Sequence, residues 1–159
     1  MMVLHSRVRT VRLGIKGFVF AILMLMVNAA SAQTATPAGL WKTIDDGTGK
    51  ERSYVRIVEV NGELQGTVEK IFPFPGDHPE NLCEACKGER KDQPIVGMTI
   101  LWGLKDDDGV WKGGEILDPD NGKTYRCKMT LSENGRELDV RGFIGISLIG
   151  RTQTWLRVE

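Results

Sequence analysis

Residues 73–94, PFPGDHPENLCEACKGERKDQP, hold the densest set of reactive side chains in the chain. Cys83 and Cys86 stand in a C-x-x-C spacing, with His78 five positions earlier. The third cysteine, Cys127, is far along the sequence, and four of the six prolines fall in this stretch. Three chemistries suit these residue types. A Cys83–Cys86 disulfide, or a disulfide joining one of them to Cys127, would staple a loop. His78, Cys83, Cys86 and Cys127 together supply the donors of a Cys3His zinc site. A C-x-x-C can also exchange electrons as a thiol pair.

The choice turns on the compartment. Arg7, Arg9, Arg12 and Lys16 precede the apolar run GFVFAILMLMV at residues 17–27, and NAASAQ follows with small residues at Ala30 and Ala32. That is the pattern of a secretory signal peptide, residues 1–32, cut after Ala32. The run is about half the ~20 residues that a spanning helix needs, so no transmembrane anchor is expected after processing. No cysteine marks the cut for lipid attachment. A periplasmic or secreted destination follows, and it is oxidising. Four of the 21 basic residues lie before residue 33, leaving 17 against 21 acidic ones, a net charge of −4. This balance argues against nucleic acid or anionic membrane as a partner, since both need a basic face.

In such a compartment the disulfide is favoured over zinc, because thiolates there pair with each other. Zinc would also need Cys127, whose strand pattern points it into the core. The thioredoxin-like reading requires C-x-x-C at the head of a helix within a βαβ unit, whereas this one sits among prolines and charges. Nothing calls for a cofactor. There is no G-x-S-x-G and no phosphate loop. Glu115, Asp118 and Asp120 could pair as acid and base, but DPDNG is first a turn sequence. Residues 106–108, three aspartates, read as a hairpin tip, with a weak calcium site as a remote option.

The elements that must hold this loop read as strands. Turn signals recur at Asp46-Gly47, Asn61-Gly62, residues 106–109, residues 118–122 and Glu133-Asn134-Gly135. NG and DG pairs suit type I′ turns, which need positive φ at both central residues. Between them the pattern predicts strands at 40–45, 52–60, 63–72, 95–105, 110–117, 123–132, 136–144 and 151–158. A two-residue turn at Asn61-Gly62 sets Val60 opposite Glu63, Glu59 opposite Leu64, Ile57 opposite Gly66 and Val55 opposite Val68. Partners share a face and the side-chain period is two. Eight sequential, one-sided antiparallel strands predict an all-β fold, an up-and-down barrel, with a sandwich as the alternative. Residues 33–38 read as a linker and 39–159 as one domain.

Gly39-Leu40-Trp41 opens the first strand, and Arg157 and Arg151 lie on the last. A G-x-W met by a C-terminal arginine resembles the lipocalin and wider calycin signature. That resemblance implies that Gly39, Trp41 and Arg157 close one end of the barrel, with a planar cation across an aromatic face. GLWKTID, GERKDQPIVGMTILWGL, WKGGEILDPDNGKTYRCKM and VRGFIGISLIGRTQTWLRV resemble a family of small exported bacterial proteins, domain-of-unknown-function family 2147. The resemblance spans about residues 39–158. It implies a lipocalin-like barrel and no agreed activity, and the cysteine-bearing loop is part of the family pattern.

An eight-stranded barrel is either filled by its side chains or holds one small ligand. The leading expectation is a non-enzymatic carrier of a small apolar or amphipathic molecule. Its candidate lining is Val55, Ile57, Leu64, Val68, Tyr125, Met129, Leu138 and Val140. Arg151 and Gln153 could receive a carboxylate if they point inward, although Arg151 at the rim is preferred. The alternative is an envelope interaction or structural module with a filled barrel. A thiol-redox or zinc protein ranks last.

Overall fold

The computed structural model describes residues 35–77 and 80–159. The expected signal peptide, its expected cut and His78 lie outside the described residues. Eight antiparallel strands follow in order: β1 (Gly39–Ile44), β2 (Glu51–Val60), β3 (Glu63–Ile71), β4 (Thr99–Asp107), β5 (Val110–Asp118), β6 (Lys123–Ser132), β7 (Glu137–Phe143) and β8 (Gly150–Arg157). Each pairs with the next, and β8 returns to β1, so the sheet closes into a barrel. Closure leaves no edge strand to protect, which a sandwich would.

The Asn61-Gly62 turn has the two positive φ values a type I′ turn requires, 54° and 78°. It sets Val60 against Glu63, Glu59 against Leu64, Ile57 against Gly66 and Val55 against Val68. The pattern of alternation places Val55, Ile57, Leu64 and Val68 inside, and all four are buried. On β6, Cys127 and Met129 are buried between the exposed Arg126 and the half-buried Lys128 and Thr130.

One strand starts later than its sequence predicts. Residues 95–105 read as continuous, yet β4 begins at Thr99. Met98 N–H donates to the Ile95 carbonyl, and Gly97 sits at φ 89°, so the chain turns there. Ile95 N–H is taken by the Asn81 carbonyl, which keeps residue 95 in the preceding loop.

The connections divide the barrel into two unlike ends. The turns β2–β3, β4–β5 and β6–β7 lie at one end, with residues 35–38. The connections β1–β2, β3–β4, β5–β6 and β7–β8 lie at the other. The first end is sealed. Arg157 lies across the Trp41 ring, 4.2 Å from its centroid. Its guanidinium donates to the carbonyls of Gly135 (2.6 Å), Ala38 (3.0 Å) and Thr36 (2.6 Å). Trp41 Nε1 donates to the Pro37 carbonyl at 2.7 Å. A side chain at Gly39 would meet both Arg157 Nη1 and the Glu159 carbonyl at 2.6 Å, and φ there is +141°, so glycine suits the place on both counts. Residues 35–38, which read as linker, are thus tied to the barrel floor, with Pro37 fully buried.

Candidate functional site

Above that floor the interior is packed. Trp41, Val55, Ile57, Leu64, Leu101, Leu104, Met129 and Leu138 are essentially inaccessible and form one cluster. Trp155 marks the upper boundary. It is buried and its β7 partner is the buried Leu138, yet it also lines a cavity of about 610 Å3 in the other half of the barrel. The volume falls within the ~300–1,000 Å3 usual for small-molecule sites.

The cavity is open at the mouth and apolar in its walls. Val68 and Ile71 of β3, Ile100 of β4, Ile116 and Leu117 of β5 and Val140 of β7 line it. Polar groups sit around them. Tyr125 Oη accepts from the Asn121 amide at 3.1 Å, and the Gln153 side chain makes no hydrogen bond among the described residues. At the rim stand Asp45, Arg52, Asp118, Asp120 and Arg151. Arg151 is largely exposed and ion-paired with Asp46, just beyond the end of the neighbouring β1. Asp45 accepts from the hydroxyl and the N–H of Thr48, and these bonds hold its carboxyl below the ordinary range. Among the described residues the lining includes no histidine, cysteine or lysine.

The β3–β4 connection covers one side of the mouth. Within it residues 81–95 fold on themselves: Leu82 bridges Pro94, Cys83 N–H donates to the Gln93 carbonyl and Asp92 N–H to that of Cys83. A disulfide joins Cys83 and Cys86, and both are buried. Cys83 Sγ lies 3.5 Å from the Pro119 carbonyl oxygen, so the bridge rests on the β5–β6 turn. The fit is tight at Gly122, where φ is +66° and any Cβ would run into the Ala85 carbonyl. On the other flank Arg90 stacks on Trp102, 4.7 Å from its ring.

Arg52 fastens this cover to the wall. From β2 it reaches Asp77 of the connection (2.5 Å) and Asp120 of the β5–β6 turn (3.2 Å). Burial acts to raise the Asp77 pKa, but Arg52 and the Phe74 N–H outweigh it and hold the carboxyl below its ordinary value of 3.8. The other side of the mouth is the β7–β8 connection, from which Ile144 and Ile149 reach the cavity edge.

The sequence-predicted lining divides by depth. Val68, Tyr125 and Val140 line the cavity, whereas Val55, Ile57, Leu64, Met129 and Leu138 belong to the packed half below. The cavity residues not named from sequence come mostly from strand ends, such as Ile71, Ile116, Leu117 and Phe143. Alternation could not have named them all: Ile116 and Leu117 are neighbours on β5, and Ile71 and Phe143 are out of step with Val68 and Val140 on their own strands. The zinc set is broken up by the disulfide. Cys83 and Cys86 are bonded to each other, Cys127 is a free, buried thiol, and His78 is outside the described residues. Burial alone raises the Cys127 pKa to about 12.

The profile of domain-of-unknown-function family 2147, "Uncharacterized protein conserved in bacteria", matches residues 39–157. The chain belongs to this family. No match is found among curated proteins. Among solved structures, this family member is similar to protein HP1028 from the human pathogen Helicobacter pylori, which is described as belonging to the lipocalin family. The TM-score is 0.67 at 22% identity, over 79% of this chain and 85% of that one. At that identity the likeness shows the fold: the family 2147 barrel is lipocalin-like.

Proposed function

We propose that this protein is an exported, non-enzymatic carrier that holds a small hydrophobic or amphipathic molecule in the mouth half of its barrel. The observation that carries the reading is the 610 Å3 cavity with aliphatic walls and a polar rim. Apolar walls reward burial of a hydrocarbon body by about 25 cal/mol per Å2. Gln153 and Tyr125 offer hydrogen bonds to a polar end, and Arg151 stands outside as a cation already matched by Asp46. The Cys83–Cys86 bridge suits an oxidising compartment, which supports export.

Native mass spectrometry of protein isolated without reductant tests the reading directly. Co-purifying organic mass, released on unfolding, supports it. A titration with a fluorescent long-chain fatty acid gives a second measure. Gly142 lines the cavity, and a Cβ there makes only ordinary contacts, 3.5 Å to Tyr125 and 3.6 Å to Ile116. Gly142→Leu therefore fills the space without forcing the backbone, and is expected to weaken binding by at least about tenfold with the thermal midpoint little changed. Bare protein together with no saturable fatty-acid binding would sink the carrier reading.

A further inference from the structure

The β7–β8 connection is built unlike the other turns. Residues 143–150, FIGISLIG, carry no charge. Ile144, Ile146, Leu148 and Ile149 are 68, 60, 85 and 71% exposed. Four large aliphatic side chains on one short connection make a contiguous apolar tip of the kind that marks an interaction site. The tip is also held in place. Arg141 donates from Nε to the Ser147 carbonyl (2.7 Å) and from Nη2 to that of Leu148 (3.2 Å), while Arg126 donates to the Gly145 carbonyl (3.2 Å).

Those clamping residues belong to a basic face. Lys128 and Arg141 are register partners on β6 and β7, and Arg126 is the partner of Phe143. None of the three forms an ion pair among the described residues. Glu115 is the acidic neighbour of Arg126 across β5–β6, and its carboxylate accepts from Trp102 Nε1. Asp139 accepts from Thr154. Cations therefore flank the uncharged tip on the β6–β7 side, although the chain as a whole is not basic.

We propose that residues 143–150 dock the barrel mouth on a bilayer surface that carries anionic lipid. The aliphatic tip enters the boundary between headgroups and acyl chains, and Arg126, Lys128 and Arg141 remain at the level of the phosphates. A lipid surface fits better than a protein groove. The tip is branched aliphatic with no aromatic or methionine beyond Phe143, whereas protein interfaces favour aromatic and methionine anchors. Ile144 and Ile149 belong both to the tip and to the cavity edge, so docking would set the open mouth against the hydrocarbon. The proposal stands apart from the carrier reading, because vesicle binding requires no cargo.

Vesicle flotation tests it. Wild-type protein and Ile146→Asp/Leu148→Asp are compared in the same form, which cancels any contribution of residues 17–27. With phosphatidylcholine vesicles containing about 30% phosphatidylglycerol, the wild type floats and the double variant partitions at least about tenfold less. Lys128→Gln lowers binding to these vesicles and not to pure phosphatidylcholine, and ~0.5 M salt does the same. Gly142→Leu floats like wild type even where it has lost fatty acid, which separates the two readings. Failure of the wild type to float, or equal flotation of the double variant, overturns the proposal. So does micromolar self-association abolished by Ile146→Asp/Leu148→Asp, since a second copy would then be what covers the tip. Both substituted positions are exposed, and matched unfolding midpoints confirm the fold.

Discussion

Arg157 combines roles that are usually spread over several residues. It covers Trp41, satisfies three carbonyls and fixes residues 35–38 to the floor. Burial lowers its pKa but leaves it a cation. Arg157→Ala removes the cation–π contact and leaves acceptors unpaired, so a loss of roughly 2–4 kcal/mol is expected in urea unfolding. Arg157→Lys recovers only part of it, because an ammonium cannot serve three divergent carbonyls and the ring at once. Cys127 lies at the opposite extreme of reactivity. Desolvation lifts its pKa to about 12, so at pH 8 it is almost wholly thiol. An aromatic disulfide reagent is expected to find no reactive thiol in folded, unreduced protein and one per chain after unfolding. Three after unfolding would contradict the Cys83–Cys86 pairing, and zero would contradict the free Cys127.

Among the elements, the cover over the mouth depends most on conditions. Its tether is the Arg52–Asp77 pair, with Asp77 ionised. The folded Asp77 pKa is below the ordinary 3.8, so the tether contributes fully above that value and is lost as pH falls through the lower, folded one. Amide shifts across residues 72–77 and 81–95, followed from pH 6 to 2, should move together with a midpoint below 3.8. Asp77→Asn should show the loosened state already at pH 7. A midpoint at or above 3.8 would remove the tether from the account. The hairpins were legible from sequence because each rests on local chemistry, as Asn61-Gly62 shows. The cover was legible as a long loop but not as a folded one. Its order comes from contacts with Pro119, Gly122 and Trp102, all distant in the chain.

For the whole molecule, the alternation of side chains identified the inside, and G-x-W with a late arginine identified the closed end. What alternation lacks is depth. Val55 and Val68 are cross-strand partners, yet Val68 lines the cavity and Val55 is in the packed half. Height along the axis depends on how every strand is staggered around the barrel, which short-range pattern does not encode. Net charge has a related blind spot, because it carries no position. The balance of −4 over residues 33–159 averages over the surface, whereas Arg126, Lys128 and Arg141 gather beside the uncharged residues 143–150. The signal was present in the sequence: four aliphatics in a connection where turn residues would be expected.

Seven of the eight seams join neighbouring strands. The eighth, between β1 and β8, pairs Trp41 with Arg157 and Lys42 with Leu156, and is continued by Leu40 N–H to the Glu159 carbonyl and Val158 N–H to that of Leu40. Every other seam can form once a hairpin has been made, but this one must wait until the two ends of the barrel sequence meet. Loop-closure entropy therefore concentrates in a single late event. Slow refolding should track closure of the floor, and the open sheet that precedes it would expose two unpaired edges, the state in which this chain is most prone to join another.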